Sequence, residues 1–446
     1  MKEDLTHKSN KLGTPWLWVP TLYFLEGIPY FLVNNISVLL FAKMGVPNDD
    51  LSFFTTLLYF PWVLKFLWSP FVEVFRTKRW WIISTQLVLA LLSVLLVITL
   101  PHPDATMIQA KATSIDMFRF TLILFILSAF ASATHDIAAD GFYLLAHSQT
   151  SQAAFVGIRS TFYRIASIFS QGVLVYIAGT IEDRTHDIPL SWQVTIGLIA
   201  IILFLFGLYH YFALPKCETE LSTSNKDSSV IWKELGNSLV TFFSKPGIVL
   251  AICFMLLYRL SEGFLVKLCP AFLVDERLTS VVNGQILGGG LEISTKVYGL
   301  LYGTIGVICL LVGGIVGGLV IAHRGLKRSI WGMALALTLP SFVYVYLSYY
   351  QPTSLWQIGS AIGFEQLGYG YGFTAYMMYM IHVSEGKYKT AHYAICTAFM
   401  ALSMMIPGFV AGELELAWGY NTYFWIANAC SITTFIVTYF VYKKLE

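Results

Sequence analysis

Twelve long apolar runs constrain the fold of this chain more than any other feature. They lie at about residues 16–42, 51–75, 80–100, 116–146, 152–180, 190–214, 247–274, 297–322, 327–350, 353–384, 390–412 and 419–442. A helix rises about 1.5 Å per residue, so runs of this length cross a hydrocarbon core about 30 Å thick. Backbone polar groups in lipid must be hydrogen-bonded within the segment. The sequence therefore predicts an all-α membrane protein with twelve transmembrane helices.

Composition excludes several other classes of protein. Hydrophobic residues make up 56% of the chain and charged residues 12%, which is far from the range of soluble domains. The 28 basic and 26 acidic residues nearly balance, so we expect no nucleic-acid partner. The six cysteines show no CxxC or CxxxC spacing, which favours packing roles over metal ligation or disulfides. We expect no metal site and no cofactor.

A polar segment divides the twelve runs into two sets of six. It contains a low-complexity stretch, Thr219–Ser229, and then an amphipathic stretch, Val230–Phe243. Such a segment is typical of a linker between domains. We therefore predict an N-terminal six-helix bundle over 1–214, a cytoplasmic linker with an amphipathic helix over 215–245, and a C-terminal six-helix bundle over 246–446.

Short sequence matches relate the two halves. Glu26-Gly27 in the first run and Glu262-Gly263 in the seventh are separated by 236 residues. Gly157–Phe162 in the fifth run and Ala394–Phe399 in the eleventh are separated by 237 residues. A nearly constant separation indicates two parallel six-helix repeats. This is the organisation of the major facilitator superfamily, so we expect two pseudo-symmetric bundles.

The distribution of basic residues predicts the orientation of the chain. When loops are assigned alternately to the two sides, one side receives seventeen lysines and arginines and the other receives five. The five are Lys43, Lys111, Arg184, Arg277 and Lys296. Cytoplasmic loops carry the excess of basic residues in membrane proteins. Both termini and the linker are therefore expected on the cytoplasmic side.

A few ionisable residues fall deep inside the apolar runs and are the candidates for function. Each costs roughly 2.5 to 3.5 kcal/mol at the bilayer centre, so such groups face a bundle interior or a water-filled cavity. Counting about 1.5 Å per residue places Glu26, Lys65 and Asp136 at a common depth of about 15 Å from the cytoplasmic side. Asp140 and Arg159 form a shallower layer, about 10 Å deep.

The predicted proton-coupling residues are Asp136, Asp140 and Glu26. Asp136 and Asp140 are four residues apart, so both carboxylates project from one face of a helix. Glu26 precedes a glycine and a proline, which weaken the helix around it. A structural alternative stays open, in which the charges form permanent pairs: Asp140 with Arg159, Asp136 with Arg164, and Glu26 with Lys65.

The predicted substrate-binding residues are polar or ionisable residues within the apolar runs. They are Lys65, Arg164, Arg159, Glu262, Arg259, Glu365 and Tyr369. Two alternatives stay open. Arg259 and Glu262, three residues apart, could simply neutralise each other. Glu365 stands in the aromatic and glycine-rich stretch 364–373, whose glycines could serve only close helix packing.

Three segments carry a resemblance to a known family. They are Phe60–Pro70, Ser132–Asp140 and Glu26–Pro29. These segments resemble the AmpG-like permeases, which include bacterial muropeptide permeases and eukaryotic acetyl-CoA transporters. The resemblance covers most of the N-terminal half. It implies a major facilitator fold, a bacterial inner-membrane location and proton-coupled import, in the muropeptide branch of N-acetylglucosaminyl-anhydromuramyl peptides. It points to Lys65, Asp136 and Asp140 as the polar residues of the matched motifs.

We therefore expect a proton symporter, and not an enzyme, that imports a polar organic solute. The expected substrate is a muropeptide or a related amino sugar, and the abundant aromatic residues suit sugar faces. The expected partners are this solute, protons and the lipid bilayer, with the chain acting as a monomer. Two alternatives stay open: a transporter of a siderophore or an acyl-CoA-type solute, and a membrane acyltransferase built on the adjacent pair His135-Asp136.

The basic-residue distribution gives a topology prediction. Cysteines introduced at Ser224 in the linker and at Thr106 between the third and fourth runs should label from opposite faces of the membrane. An impermeant maleimide added to intact cells should modify Thr106→Cys and spare Ser224→Cys. Modification of both positions from outside would contradict the twelve-helix topology.

Overall fold

The computed structural model describes residues 15–146, 149–217, 228–277, 280–282, 285–287 and 289–445. Position Ser224 and most of the low-complexity stretch of the linker lie outside these residues.

The N-terminal half forms six membrane-length helices, several of which are interrupted. α1 runs Pro15–Phe31, passes through a π-helical segment, Leu32–Ile36, and continues as Ser37–Lys43. α2 consists of Asn48–Leu57 and Phe60–Val74, α3 is Lys78–Thr99, and α4 is Ile115–Phe118 followed by Arg119–Ala146. α5 combines Gln149–Ile168, the π-helical Phe169–Leu174 and Val175–Thr185, and α6 is Ile188–Ala213. A short helix, Ala105–Gln109, lies between α3 and α4.

The C-terminal half repeats this pattern after the linker helix, Ser228–Phe243. α7 consists of Ile248–Leu257 and Leu260–Val274. α8 combines Thr295–Leu300, the π-helical Leu301–Gly306 and Val307–Arg324, and α9 consists of Leu326–Thr338 and Phe342–Tyr350. α10 is Leu355–Ser384. The helix Lys389–Ala429 breaks at Gly419, which separates α11 (389–418) from α12 (420–444, ending in the segment Ser431–Lys444).

The described residues form twelve membrane-length helices in two sets of six, as the sequence predicts. Ten stretches of the described chain are long and apolar enough to cross a membrane. The last of these, Lys389–Lys444, contains both α11 and α12, because Gly419 adopts a positive φ of 71° that ends one helix and starts the next. α10 is a less apolar helix of 30 residues and supplies the twelfth crossing.

One small feature departs from a purely helical chain. Ser280–Val282 and Gln285–Leu287 pair as the antiparallel strands β1 and β2 in the loop between α7 and α8. We call the membrane side that carries this hairpin the hairpin side. The opposite side, which carries the linker helix, is the linker side.

Helix packing groups the helices into two bundles. In the first bundle α3 packs on α4 and α6, α1 packs on α5, and α2 packs on α4. In the second bundle α10 packs between α8 and α9, and α7 packs on α11 and α12. Large apolar side chains point outward to the lipid, and Phe212, Phe120 and Trp356 are each more than 70% exposed. The hydrophobic exterior is thus the surface that a bilayer covers.

The two bundles touch mainly along two helix pairs, α2 with α11 and α5 with α8, and α1 also contacts α7. Glycines allow close backbone approach there. A Cβ at Gly303 of α8 would overlap the backbone of Gln171 in α5, and a Cβ at Gly412 of α11 would overlap the backbone of Asn48 in α2. Both contacts lie toward the hairpin side. The bundles are therefore closed together on the hairpin side, with a cavity between them deeper in the protein.

Candidate functional site: a central cavity beside a carboxylate cluster

The central cavity lies between the bundles and has a volume of about 580 Å³. Helices α1, α2 and α5 line it from one bundle, and α7, α8, α10 and α11 from the other. Aromatic rings form much of its wall: Tyr30, Tyr59, Trp62, Tyr163, Tyr369 and Phe373. A cavity of this size with apolar walls and a few polar groups has the character of a small-molecule binding site.

Four of the seven predicted substrate-binding residues line this cavity. They are Lys65, Arg164, Arg259 and Tyr369. The other three, Arg159, Glu262 and Glu365, do not belong to its lining. Helix rotation explains the difference, because residues at the right depth on a helix still face different neighbours.

Arg259 and Glu262 form a closed pair within α7. The Arg259 guanidinium donates to both carboxylate oxygens of Glu262, each at 2.9 Å, and both side chains are about 5% exposed. Arg259 also donates to the Tyr369 hydroxyl at 2.8 Å and lies 4.5 Å from the ring centre of Phe373. The local helix break at Tyr258–Arg259 gives Arg259 this reach. Glu262 thus neutralises Arg259 and holds it at the cavity wall.

Glu365 points into the C-terminal bundle. Its carboxylate accepts from Gln366 at 2.9 Å and from the Tyr344 hydroxyl at 3.4 Å. The neighbouring glycines pack α10 tightly, since a Cβ at Gly370 would overlap a carbonyl of α8 and one at Gly368 would overlap a carbonyl of α9. The packing alternative for this glycine-rich stretch therefore describes the structure. Of the two predicted binding residues in this stretch, Tyr369 lines the central cavity and Glu365 does not.

The N-terminal bundle contains two ion pairs that tie α4 to its neighbours. Lys65 of α2 donates to Asp136 at 2.6 Å, and Arg159 of α5 lies 2.6 Å from Asp140. Tyr23 of α1 also donates to Asp140 at 3.3 Å. The expected Asp140–Arg159 pair is present. Lys65 pairs with Asp136 rather than with Glu26, and Asp136 does not pair with Arg164.

Glu26 completes this group, which we call the carboxylate cluster: Glu26, Lys65, Asp136, Asp140 and Arg159. The Tyr23–Asp140 bond brings α1 against α4, and Glu26, three residues after Tyr23, lies beside Asp136. Glu26 is 6% exposed, so little water screens it. Two carboxylates placed side by side away from water repel each other, and a proton on one of them removes the repulsion.

Arg164 has a different environment. It lines the central cavity near Tyr163 and Tyr369. No ion pair or hydrogen bond joins its guanidinium to any residue in the described ranges. Arginine carries five donors and stays charged. Arg164 is therefore available to an anionic group that enters the cavity.

A buried polar chain was missed by sequence reasoning. Gln86 of α3 contacts His135 of α4 at 2.9 Å and His210 of α6 at 3.0 Å, and His210 contacts Thr21 of α1 at 3.0 Å. Both histidines are at most 1% exposed. His135 is thus held in the core of the N-terminal bundle by the Gln86 amide. The available signal was the presence of polar residues in four of the apolar runs.

Lys267 is a second feature that sequence reasoning did not place. It is 5% exposed in α7, and its ammonium has no hydrogen-bond partner in the part of the chain that the structure describes.

Comparisons with known proteins agree with this architecture. Residues 16–172 match a family described as acetyl-coenzyme A transporter 1, and this range includes the carboxylate cluster. The anhydromuropeptide permease of Escherichia coli strain K12 is 24% identical over 436 residues, covering 95% of this chain and 79% of the permease. A putative transporter AmpG 4 of Rickettsia conorii is also 24% identical, covering 95% of this chain and 96% of that protein.

The resemblance to the AmpG-like permeases is confirmed. Solved structures agree on the fold. A D-xylose-proton symporter superposes with a TM-score of 0.67 at 13% identity, covering 94% of this chain and 95% of that chain. The nucleoside transporter NupG superposes with a TM-score of 0.66 at 12% identity, covering 96% and 98%. The chain is a multi-pass membrane transporter that resembles these permeases in sequence, and it has the major facilitator fold.

The Lys65–Asp136 pair gives a stability prediction. Lys65→Gln leaves the Asp136 carboxylate partly buried without its cation, which costs on the order of 1 to 3 kcal/mol. The double variant Lys65→Gln/Asp136→Asn should recover most of the loss, because neither charge is left alone. Thermal unfolding of the purified proteins in detergent measures both effects. Lys233→Gln, on the exposed face of the linker helix, is the control; a loss in Lys65→Gln no larger than in this control would contradict the assignment.

Proposed function

We propose that this chain is a proton-coupled importer of an anionic muropeptide or a related amino-sugar conjugate. The observation that carries the proposal is the unpaired Arg164 in an aromatic cavity adjoining the carboxylate cluster. The cation would bind a substrate carboxylate through charge-assisted hydrogen bonds. The surrounding rings offer flat apolar faces to sugar rings. The naming of the Escherichia coli relative as an anhydromuropeptide permease supports this substrate class.

Lys65 provides the link between substrate and proton. It lines the cavity and also holds Asp136 at 2.6 Å. An anionic substrate at the cavity wall would compete for the Lys65 ammonium and weaken its hold on Asp136. Asp136, in contact with Glu26, would then favour its protonated form, since a carboxylate that loses its cation is costly in this setting. Substrate binding and proton binding would thereby favour each other, as a symporter requires.

The proposal extends to location and domain organisation. The chain would lie in a bacterial inner membrane with both termini cytoplasmic, which makes the linker side the cytoplasmic side. The linker helix supports a boundary between bundles, because its Phe242 packs beside Phe399 of α11 and its Ser238 carbonyl contacts His392 at 3.1 Å. The domain limits 1–214, 215–245 and 246–446 follow. One chain encloses the whole cavity, which supports a monomer as the working unit.

An acyl-CoA-type solute is the second candidate. The matched family over residues 16–172 is described as an acetyl-coenzyme A transporter. Such a solute is also anionic, so Arg164 would suit its phosphates. Stabilisation of the purified protein by N-acetylglucosaminyl-anhydromuramyl peptide, and not by acetyl-CoA, would decide for the muropeptide class; the reverse result would decide for the second candidate.

The carboxylate cluster gives a prediction about coupling. Glu26→Gln, Asp136→Asn and Asp140→Asn each keep the side-chain shape and remove an ionisable group. Uptake driven by a pH gradient into proteoliposomes should fall by about tenfold or more in at least one of Asp136→Asn and Glu26→Gln, while counterflow exchange survives better. Exposed Asp183→Asn is the matched control. Full gradient-driven uptake in all three cluster variants would place coupling elsewhere.

Arg164 gives a prediction about binding. Arg164→Gln should weaken binding of N-acetylglucosaminyl-anhydromuramyl peptide by about 1.5 to 3 kcal/mol, which is roughly tenfold or more in affinity. Its thermal stability should stay near that of the parent, because no described residue depends on Arg164 for charge balance. Calorimetry and thermal unfolding on one preparation measure both. Arg324→Gln, exposed on the linker side, is the control. Unchanged affinity in a well-folded Arg164→Gln protein would exclude Arg164 from the binding site.

A further inference from the structure

A second polar cluster joins the two bundles at the hairpin side. We call it the hairpin-side latch: Asn48, Lys111, Asp275, Glu415 and Tyr420. Asn48 starts α2 and Lys111 lies in the loop before α4, so both belong to the first bundle. Asp275 follows α7, Glu415 lies in α11 and Tyr420 starts α12, so these three belong to the second. Bonds between these two groups of residues join the first bundle to the second.

Asn48 is the hub of the latch. Its amide nitrogen donates to Glu415 and to the Tyr420 hydroxyl, each at 2.8 Å, and its amide oxygen accepts from Lys111 at 2.9 Å. Lys111 also pairs with Asp275. The Tyr420 hydroxyl donates to Asp275 at 2.5 Å. The Asn48 amide is thus bonded directly to Glu415 and is connected to Asp275 through Lys111 and Tyr420.

The charges of the latch do not balance. Lys111 supplies one positive charge, whereas Asp275 and Glu415 supply two negative charges when both are ionised. Both carboxylates are 9% exposed. Asp49, the next residue along α2, adds a further negative group nearby and no cation. Burying an excess anion is costly, and uptake of one proton removes the excess.

A path for that proton is present. A cavity of about 980 Å³ on the hairpin side has all five latch residues in its lining. Its other titratable residues are His102, His186, Asp187, Glu276 and Lys43. Lys43 is already paired with Glu182 at 2.8 Å, and Glu182 accepts from Thr295 of the second bundle at 2.5 Å. The latch therefore faces the solution on the hairpin side and not the central cavity.

We propose that Glu415 is a second proton-binding residue, which takes up a proton from the hairpin side as the two bundles close there. The neutral carboxyl keeps its bond from Asn48, because its carbonyl oxygen still accepts. Lys111 and Asp275 then balance each other. When the bundles separate, water reaches Glu415 and stabilises its ionised form, so opening releases the proton. Acidic solution on the hairpin side would accordingly favour closure.

Glu415 is assigned this role over Asp275 on geometry. Asp275 receives bonds from both Lys111 and Tyr420. Glu415 receives its described hydrogen bond from the neutral Asn48 amide alone. The carboxylate with the charged partner keeps its negative charge more readily.

The test measures conformation without substrate. Spin labels at the exposed positions Thr106 and Ser354, in a background whose native cysteines are replaced, report the separation of the bundles on the hairpin side. In the full chain in lipid nanodiscs, the open population should rise from pH 5 to pH 8. The ratio of open to closed protein should change by at most about tenfold per pH unit, because one proton is released on opening. Glu415→Gln should stay closed at both pH values. Glu413→Gln, an exposed glutamate on the same helix, should behave like the parent.

A second variant weakens the latch and should act in the opposite direction. Asn48→Asp replaces the amide that donates to Glu415 and Tyr420 by a further negative group, and it should raise the open population at pH 8 above that of the parent. An open population of the parent that does not change with pH would overturn the proposal. A Glu415→Gln protein whose open population changes with pH as in the parent would also overturn it, because the response would then belong to His102, His186 or the carboxylate cluster. If Glu415→Gln does not fold, an Asn48→Asp protein no more open than the parent overturns the proposal by itself.

Discussion

The cost of an unpaired charge away from water organises most of this molecule. Lys65 with Asp136, Arg159 with Asp140 and Arg259 with Glu262 all hold bonds of 2.6 to 2.9 Å across or along helices inside the membrane region. The most buried of them, Arg259 with Glu262, offsets a desolvation cost that neither partner could sustain alone. The other two pairs join different helices, α2 to α4 and α4 to α5, and therefore fix helix rotation. The ion pairs of the carboxylate cluster therefore hold the helices of the N-terminal bundle in place.

Arg164 and Glu26 differ from these paired groups, and the proposed function depends on them. Arg164 keeps its charge at the wall of the central cavity without an anion from the described chain, and the buried Glu26 lies beside Asp136 without an ion pair of its own among the described residues. A transporter needs groups that are incompletely satisfied in one state, because a group that is fully satisfied in every state has no reason to bind a substrate or a proton. Lys65 lines the cavity that holds Arg164 and also pairs with Asp136. In the proposed function, Lys65 is therefore the residue that links the solute to the proton.

The contact between the bundles combines two kinds of interaction. Gly303 and Gly412 permit backbone contact, which requires only shape and is independent of pH. The hairpin-side latch adds charged and polar groups at the same side, and these respond to water and protons. A purely apolar interface would hold the bundles together without regard to conditions. With both kinds of contact, the bundles pack closely on the hairpin side, and the stability of this closed arrangement depends on pH.

The sequence alone determined the transmembrane pattern, because hydrophobic length is a local property. The predicted run 353–384 corresponds to Leu355–Ser384 and the predicted run 16–42 to Pro15–Lys43. Helix counting also placed Lys65, Asp136 and Glu26 at one depth, as their contacts in the structure require. The π-helical segments and the break at Gly419 were not predicted, since they depend on packing against neighbouring helices.

Only the tertiary structure decided which charges meet. Depth follows from counting residues, but the direction of a side chain around its helix axis depends on how each helix is rotated in its bundle. The sequence therefore offered Glu26 as a partner for Lys65 and Arg164 as a partner for Asp136, whereas the structure joins Lys65 to Asp136 and leaves Arg164 at the cavity. The latch was beyond reach for the same reason. Asn48 and Glu415 are 367 residues apart in the chain, and only the closure of the two bundles brings them to 2.8 Å.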